Sequence, residues 1–412
     1  MGFAIWDFVF IFMWQQIQSN QIRSVFLVIG MGLLLALLGY FLGLYFVGSG
    51  TVGLFIALII WAIMSLVGYF QGDSILLSVS RARKIAPDDH PRLYNVVEEM
   101  KIASGLETMP SIYIMDDPAL NAFATGRNPK KATVAVTSGL LQKLNRDELQ
   151  GVVGHEMAHV KNRDVLLMAM CAVLLGTIVV LAWYASRFLI FGGMGKTRRS
   201  SSGGGSAGQA IIIIVAIVLM ILAPILAQLI YLALSRRREY LADASSALYT
   251  RYPEGLASAL EKIGASTDQL KSANKATAPM YIINPFRKQG MSADDLTSTH
   301  PPISQRIRIL RAMAGASYED YSTAYQQVID TNKVIIPAAA AAAAGGMALR
   351  AAQPEAPEKF EVVQRTRETS NLLWNLNNYK LISCPCGTRM RLPPRYKLPE
   401  IKCPHCGRIN QV

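Results

Sequence analysis

Long apolar segments alternate with mixed polar segments along the chain, and the apolar segments predict membrane helices. No charged residue occurs from Ser24 to Gly72, a stretch interrupted only by the Gly-Ser-Gly sequence at 48–50. Each of four uncharged runs has roughly the 20 apolar residues needed to cross a bilayer core, and Pro224 is a candidate kink in the last one. The runs lie at about 24–47, 51–70, 165–186 and 210–234. We therefore expect four transmembrane helices.

The polar segment at 73–164 predicts a small α/β unit. Pro91 is a suitable first helical position, and the apolar spacing that follows predicts a helix to about Ser104. Asn145, with Glu148 three residues later, predicts a capped helix start, and this helix would continue directly into the third apolar run. Alternating apolar residues predict strands at 111–115 and 132–136.

Two segments outside these units have a weaker pattern. Residues 1–22 are apolar and aromatic but contain Asp7, and no small-residue cleavage site follows them. This favours an interfacial helix over a signal peptide. Residues 320–378 include seven consecutive alanines at 338–344 and predict a linker or a lightly packed extension.

Composition and charge support a membrane protein. Of 412 residues, 51% are hydrophobic and 17% are charged, and the mean hydropathy is +0.27. The formal net charge of +13 also fits a nucleic-acid partner, but many basic residues flank the apolar runs. One set would lie on one side: Arg23, Arg81, Arg83, Lys84, Lys161, Arg163 and Arg236 to Arg238. The opposing set is Arg187, Lys196, Arg198 and Arg199. The majority places both termini and the polar segments in the cytoplasm.

A metal-binding motif, His155-Glu-Met-Ala-His159, lies on the predicted helix that begins near Asn145. Its spacing of four residues places both imidazoles on one helical face, as a tetrahedral zinc site requires. Glu156 is then offset to take the proton of an attacking water. The motif alone also fits a helix with two histidines on its polar face.

A third ligand is predicted where the chain leaves the fourth apolar run. Glu239 and Asp243 are four residues apart and share a helical face, so Glu239 could complete the zinc site while Asp243 orients a histidine. Two adjacent antiparallel spans would bring this segment to the membrane face that carries His155 and His159. The alternative is that both carboxylates are solvated partners of the arginines at 236–238.

These residues together resemble the HtpX-type membrane metalloproteases, which are relatives of the CAAX prenyl endopeptidases. The resemblance covers about residues 20–315. Its motifs are Asn121 to Gly126, Ala132 to Val136, Ser138 to Leu140, His155 to His159, Ser235 to Asp243, and Thr299 to Pro302 with Arg306. It implies zinc endopeptidase activity, a cytosol-facing active site and quality control of damaged membrane proteins.

The resemblance also suggests a substrate-binding surface. The sequence Asn121-Ala122-Phe resembles the clamp for the substrate backbone in thermolysin-like proteases, and the strand containing Val134 would be an edge that pairs with an extended peptide. An ordinary turn and core strand is the alternative. His300 precedes two prolines and could stabilise an oxyanion or bind substrate, or it could simply cap the next helix.

Four cysteines near the C-terminus predict a second, structural zinc site. Cys384 and Cys386 form one turn-like knuckle, and Cys403 and Cys406 form another. Paired thiolates of this kind favour a closed zinc ribbon in a reducing compartment, with a redox pair as the alternative. Cys171 lies in an apolar run and is expected to be a buried hydrophobic residue. The ribbon is basic and could bind nucleic acid, lipid headgroups or substrate.

The sequence therefore predicts a mainly α membrane protein with four spans, a thermolysin-like zincin domain containing a small β-sheet, and a C-terminal zinc ribbon. We expect a zinc endopeptidase of a bacterial inner membrane, with one catalytic and one structural zinc, acting at the cytoplasmic face on membrane or misfolded polypeptides. A catalytically silent scaffold is the alternative, and nucleic-acid binding is not favoured because the ribbon lacks interleaved aromatic residues. The predicted units are 1–72, 73–164, 165–234, 235–319, 320–378 and 379–412.

Overall fold

The structure, a computed structural model, is mainly helical, and three of its helices are long and apolar enough to cross a membrane. It describes residues 3–187, 206–233, 236–271, 278–283, 300–332, 336, 348–352 and 358–412. The candidate spans among these residues are Val25–Phe46, Gly50–Val79 and Asp164–Arg187. They belong to helices α1 (Phe3–Phe46), α2 (Gly50–Val79) and α6 (Asp164–Arg187).

The fourth predicted span corresponds to helix α7 (Ser206–Ala233), which contains Pro224. Its described apolar segment, Ile213–Leu229, is shorter than the other three. At the other end of the chain, α1 is continuous over 44 residues. The interfacial helix expected at 1–22 is therefore not a separate element, and Lys196, Arg198 and Arg199 lie outside the described residues.

The four-stranded sheet corrects one prediction. Its strands are β1 (Arg83–Lys84), β2 (Ser111–Met115), β3 (Ala122–Thr125) and β4 (Thr133–Thr137), in the order β1-β2-β4-β3. Strand β4 pairs in parallel with β2 and antiparallel with β3. Val134 is thus in a central strand and fully buried. The expectation that its strand forms an edge is wrong, because β3 occupies that edge.

Five helices share one hydrophobic core with the sheet, and the predicted metal site lies among them. They are α3 (Pro91–Ser104), α5 (Arg146–Lys161), α8 (Arg236–Thr250), α9 (Pro253–Ala265) and α10 (Ile303–Arg311). The predicted start of α5 is confirmed, since the Asn145 side chain accepts from the Glu148 backbone and the Glu148 side chain accepts from the Asn145 backbone, both at 2.8 Å. A Cβ at Gly151 would lie 2.6 Å from the Leu256 backbone nitrogen, so glycine permits the close approach of α9.

The predicted linker contains two packed helices, α11 (Tyr318–Ile329) and α12 (Glu358–Leu376). Tyr321 of α11 and Leu372 of α12 are fully buried in the core of the sheet and its helices. Helix α12 packs against α4 (Ser138–Lys143). The prediction of a lightly packed extension is therefore wrong for α11 and α12. The alanine run at 338–344 lies outside the residues that the structure describes.

The C-terminal segment folds as two antiparallel hairpins. One joins β5 (Lys380–Ser383) to β6 (Arg389–Leu392), and the other joins β7 (Glu400–Lys402) to β8 (Ile409–Gln411). Each hairpin turn carries two of the four clustered cysteines. The cysteine side chains of the two turns meet between the hairpins with Met390.

Candidate active site and metal centres

Helices α5 and α8 bring two histidines and a carboxylate together in the protein interior. His155 and His159 lie one turn apart on α5, and Glu239 lies in the first turn of α8. All three are at most 4% exposed, and one ligand atom from each lies within 4.8 Å of the others. We call these three residues the catalytic cluster. The structure thus juxtaposes the three residues that the sequence predicts as zinc ligands.

The separations within the catalytic cluster fit zinc. The two histidine Nε2 atoms are 3.3 Å apart, and each lies 3.5 Å from a carboxylate oxygen of Glu239. Nitrogen and oxygen ligands at about 2.0–2.1 Å from a tetrahedral zinc are about 3.3–3.4 Å from one another. The Oε2 atom of Glu239 is also buried without a hydrogen-bond partner among the described residues. A metal ion would satisfy this oxygen.

A carboxylate lies beside the other ring nitrogen of each histidine. Nδ1 of His155 is 3.0 Å from Asp243, as the sequence predicts, and Nδ1 of His159 is 3.4 Å from Asp164. A carboxylate at Nδ1 favours the tautomer protonated there and leaves Nε2 free to bind a metal. Burial acts to lower the pKa of His155, but the neighbouring carboxylates of Asp243 and Glu239 outweigh it and raise the pKa to about 9. Metal must therefore displace a proton.

The contact of Asp164 with His159 is not evident from the sequence, which predicts that α5 runs directly into the membrane. Residues five apart on one helix are about 140° apart around its axis, so they could not meet. The structure instead breaks the helix between Lys161 and Asp164, with Arg163 in the left-handed region at φ 58°. This turn folds Asp164 back towards His159. The sequence feature that could have indicated a role for Asp164 is its position as a lone carboxylate at the start of an otherwise apolar span.

Arg306 holds the carboxylate that orients His155. It is fully buried and donates to both Asp243 oxygens, from Nε at 2.8 Å and from Nη2 at 2.6 Å. Its Nη1 donates to the Ile282 carbonyl at 3.2 Å and lies 3.6 Å from Glu239. In the sequence, Arg306 is recognisable only as part of a family motif, because an arginine more than 60 residues from Asp243 carries no local sign of this pairing.

Glu156 is buried beside the catalytic cluster, where a general base would be needed. It is 2% exposed, and this burial raises the pKa of its carboxyl group. His155, His159 and a hydrogen bond from the backbone of Ala124 act in the opposite direction. Ala124 belongs to β3, so the edge strand and the base are adjacent. This arrangement would let Glu156 accept a proton beside an extended peptide.

The other predicted site residues lie at different distances from the catalytic cluster. His300 is buried with Nε2 3.7 Å from Glu239, and burial lowers its pKa to about 4. Asn121 precedes the edge strand, where its side chain accepts from the Ala122 backbone at 3.0 Å and donates to the Ile283 carbonyl at 3.3 Å. The Ala122 carbonyl in turn accepts from Ile282 at 3.0 Å. Val134 lies one strand further inside the sheet.

The four C-terminal cysteines form a second group of potential ligands, which we call the cysteine cluster. Cys384, Cys386, Cys403 and Cys406 each place a sulfur within 4.8 Å of the others. The sulfurs of Cys384 and Cys406 are 3.5 Å apart, and those of Cys386 and Cys403 are 3.7 Å apart. Sulfurs at about 2.3 Å from a tetrahedral zinc would be about 3.8 Å apart. The cysteine cluster therefore also fits zinc.

Comparisons with known proteins agree with this arrangement. The profile of Peptidase family M48 matches residues 87–314, which include the whole catalytic cluster. A protein named Protease HtpX homolog from Dictyoglomus turgidum is 45% identical over 300 residues, 73% of this chain and 94% of the relative.

A protein of the same name from Streptococcus uberis is 40% identical over 301 residues, 73% of this chain and all of the relative. No solved structure matches. The cysteine cluster lies outside the residues that the family profile covers. Because the profile spans more than half of the chain and these relatives align over nearly their whole length, the chain belongs to peptidase family M48 and is an HtpX-type membrane metallopeptidase.

Proposed function

We propose that this protein is a zinc-dependent endopeptidase in which His155, His159 and Glu239 hold the catalytic metal. The observation that carries this proposal is the 3.3–3.5 Å spacing of their ligand atoms, combined with a carboxylate beside each histidine Nδ1. When bound there, zinc would supply a Lewis acid for peptide-bond hydrolysis. Three protein ligands leave one position open, as catalytic zinc sites require.

In this proposal Glu156 accepts the proton of the attacking water and returns it to the leaving amine. Its burial supports the role, because a raised pKa brings a carboxylate closer to the working range of a general base. His300, buried beside Glu239, would stabilise charge on the substrate carbonyl or help to orient the third ligand. Asn121 and Ala122 would bind the substrate backbone at the edge of β3 that does not pair with β4, and Val134 lies in the neighbouring strand β4.

We further propose that α7 is a fourth span and that the active site faces the cytoplasm of a bacterial inner membrane. The uncharged sequence at 210–234 and the predominance of basic residues on one side support this arrangement. The units would be the membrane hairpins 1–72 and 165–234, the catalytic parts 73–164 and 235–319, an extension at 320–378 and a ribbon at 379–412. Membrane or misfolded polypeptides would be the substrates, in protein quality control.

The cysteine cluster would hold a second, structural zinc, which gives two zinc ions per chain. Its four sulfurs would close the coordination sphere and leave no position for water. A catalytically silent scaffold that recruits partners through this ribbon is not favoured, because such a protein has no need of a buried Glu156 beside a complete ligand set.

Zinc content and proteolysis of the purified full-length protein test the proposal together. The variant Glu156→Gln should keep both zinc ions, because every ligand is untouched, but lose roughly 10²–10⁴-fold in the cleavage rate of an unfolded protein such as casein. Glu98→Gln, at an exposed position on α3, is the matched control and should behave as wild type. Near-normal cleavage by Glu156→Gln would refute the mechanism. Loss of zinc from this variant would show that Glu156 is itself a ligand.

A further inference from the structure

The C-terminal hairpins, residues 379–412, carry an unusually one-sided charge, and we call them the ribbon. They contain seven basic residues and a single acidic one, Glu400. All seven basic side chains are exposed: Lys380, Arg389, Arg391, Arg395, Lys397, Lys402 and Arg408. A closed structural zinc site does not require such a surface, and none of these residues contacts the catalytic cluster. The charge therefore indicates a function of its own.

The ribbon begins where a membrane helix ends. Helix α2 stops at Val79, and Arg83, four residues later, donates from Nη1 to the Leu376 carbonyl at 2.8 Å and to the Asn377 side chain at 3.0 Å. Leu376 is the last residue of α12, and the ribbon starts three residues after it. A helix of 30 residues is about 45 Å long, close to the thickness of a bilayer with its headgroups. This contact therefore attaches the ribbon at the level of the membrane surface.

The ribbon is also held close to this attachment point. Arg391 donates to Asn371 at 2.9 Å, and its guanidinium lies over the Trp374 ring, 5.3 Å from the ring centroid. Both partners are in the last two turns of α12. The ribbon is thus packed back on the end of the helix that Arg83 anchors. Arg81 and Lys84, which flank this anchor, are exposed as well and extend the basic surface towards α2.

Apolar side chains are exposed among the basic ones. Leu398, in the loop between the two hairpins, is 63% exposed and follows Lys397 directly. Val412 donates its backbone N–H to the Pro399 carbonyl at 2.9 Å, which places a second exposed apolar residue beside this loop. Ile409 is 61% exposed and pairs with Lys402 across the second hairpin. Basic residues interspersed with exposed apolar ones are typical of a surface that binds the interface of an anionic bilayer.

We propose that the ribbon binds anionic phospholipid headgroups of the bilayer in which the protein is embedded, with the loop at 393–399 as its main contact. The attraction comes from the basic side chains, and Leu398 adds burial at the interface. This goes beyond the proposed peptidase function, because it assigns the ribbon a ligand and does not depend on proteolysis. Nucleic acid and acidic polypeptides would be attracted by the same charge, but the attachment beside α2 favours the lipid surface.

Hydrogen–deuterium exchange of the full-length protein in lipid nanodiscs tests the proposal. Glu156→Gln, which is not expected to digest itself, is reconstituted in neutral phosphatidylcholine or in the same lipid with added phosphatidylglycerol. Peptides from 393–412 should exchange at least about fivefold more slowly in the anionic discs, since each basic residue near such a surface gains about that factor in binding. Peptides from α12 should exchange equally in both. High salt should abolish the difference, because it screens exposed charges.

Matched charge variants separate this site from the net charge of the protein. Arg395→Glu with Lys397→Glu should remove the protection, whereas Lys143→Glu with Arg308→Glu makes the same change at exposed positions outside the ribbon and should retain it. Leu398→Ser, which leaves the charge intact, should partly weaken the protection from exchange. Equal exchange of the unaltered ribbon in neutral and anionic discs would overturn the proposal, whatever the variants do. Protection by an oligonucleotide or an acidic peptide in neutral discs, with none from anionic lipid, would also overturn it.

Discussion

The catalytic cluster and the cysteine cluster hold their potential ligands at similar separations but are built in opposite ways. The catalytic cluster is at most 4% exposed, and its ligands come from α5 and α8, which are distant in the sequence. The cysteine cluster is formed by two short hairpin turns, and Cys386 and Cys406 are exposed. One site is surrounded by a protein core, whereas the other is itself most of the core of its small unit.

The two clusters should therefore depend on metal to different degrees. In the catalytic cluster, Asp243, Asp164 and Arg306 position the ligands through contacts that do not require zinc. The surrounding fold should therefore survive metal removal. In the ribbon, few apolar side chains are buried, so the metal itself would supply much of the folding free energy. A metal chelator should accordingly inactivate the first site and unfold the second.

Removal of the third ligand should have the largest effect and should be confined to one cluster. Glu239→Ala leaves two histidines without a carboxylate, so we expect the loss of one zinc per chain and proteolysis at background level. Zinc in the ribbon should remain. Zinc measured by mass spectrometry, together with a casein assay, checks this, and Glu98→Ala serves as the exposed control. If Glu239→Ala kept both zinc ions, another residue such as His300 would be the third ligand.

The carboxylates beside the two histidines should have a smaller effect on the same cluster. Asp164→Asn and Asp243→Asn each replace a charged acceptor of the Nδ1 proton by a neutral amide, and such changes typically weaken metal affinity about 10–100-fold. Asp243→Asn should also lower the stability of the protein, because it leaves the buried Arg306 charge without its carboxylate.

Zinc titration of the metal-stripped variants against a fluorescent chelator measures both affinities. Asp268→Asn changes an exposed carboxylate and should match wild type. An unchanged affinity in Asp164→Asn would mean that its 3.4 Å approach to His159 has no role in orienting the ring.

The parts of the structure that the sequence predicted are those fixed by local chemistry. Pro91 begins α3 and Asn145 caps α5, as expected, because a ring-restricted φ and a side-chain cap act within one helical turn. The spacing of His155 and His159 predicted their common face for the same reason. The contact between Asp164 and His159 could not be predicted, since it depends on the turn at Arg163, a residue type without a preference for positive φ.

The order of strands and the packing of α12 also depend on distant contacts. The family resemblance predicts an edge position for the strand that contains Val134. The alternating apolar pattern of this strand could not correct that prediction, because it does not reveal whether one or two neighbours pair with the strand. Leu372 of α12 is buried in the core, although the alanine run that precedes this helix led to the prediction of a linker for the whole segment. Contacts between distant parts of the chain, and not local propensity, determine the strand order and the packing of α12.

The stability of the protein should be sensitive to pH through His90. His90 caps α3, with Nδ1 accepting from the Leu93 backbone at 3.1 Å. Burial, and then the nearby Arg92, lower the pKa of His90 to about 4, while Glu368 of α12 opposes this shift. In the unfolded chain His90 takes up a proton as the pH falls through about 6.5, whereas in the folded protein it stays neutral until the pH approaches 4. Stability is therefore lost as pH falls from about 6.5 towards 4, by about 2 kcal/mol at pH 5.

His90→Asn tests this, because asparagine preserves the cap but does not titrate. Thermal unfolding in detergent at pH 7.5 and pH 5 should show a smaller loss of stability in this variant than in the otherwise identical parent. His405→Asn, at an exposed position in the ribbon, is the control and should retain the full loss. The same loss in all three proteins would assign the pH dependence to other groups.

Removal of the ribbon should have the smallest effect on the chemistry, and this is the sharpest test of the contrast between the two clusters. A chain that ends at Asn378 retains α12 and its contact with Arg83, and it loses no residue of the catalytic cluster. We expect it to hold one zinc and to cleave a short, unstructured peptide at about the wild-type rate. Cys403→Ser should also lose the ribbon zinc, whereas Cys171→Ala, at the cysteine outside the ribbon, should keep both ions. A folded truncated enzyme that retains its zinc but cannot cleave the peptide would show that the ribbon is part of the catalytic machinery, and the two clusters would then be one functional unit.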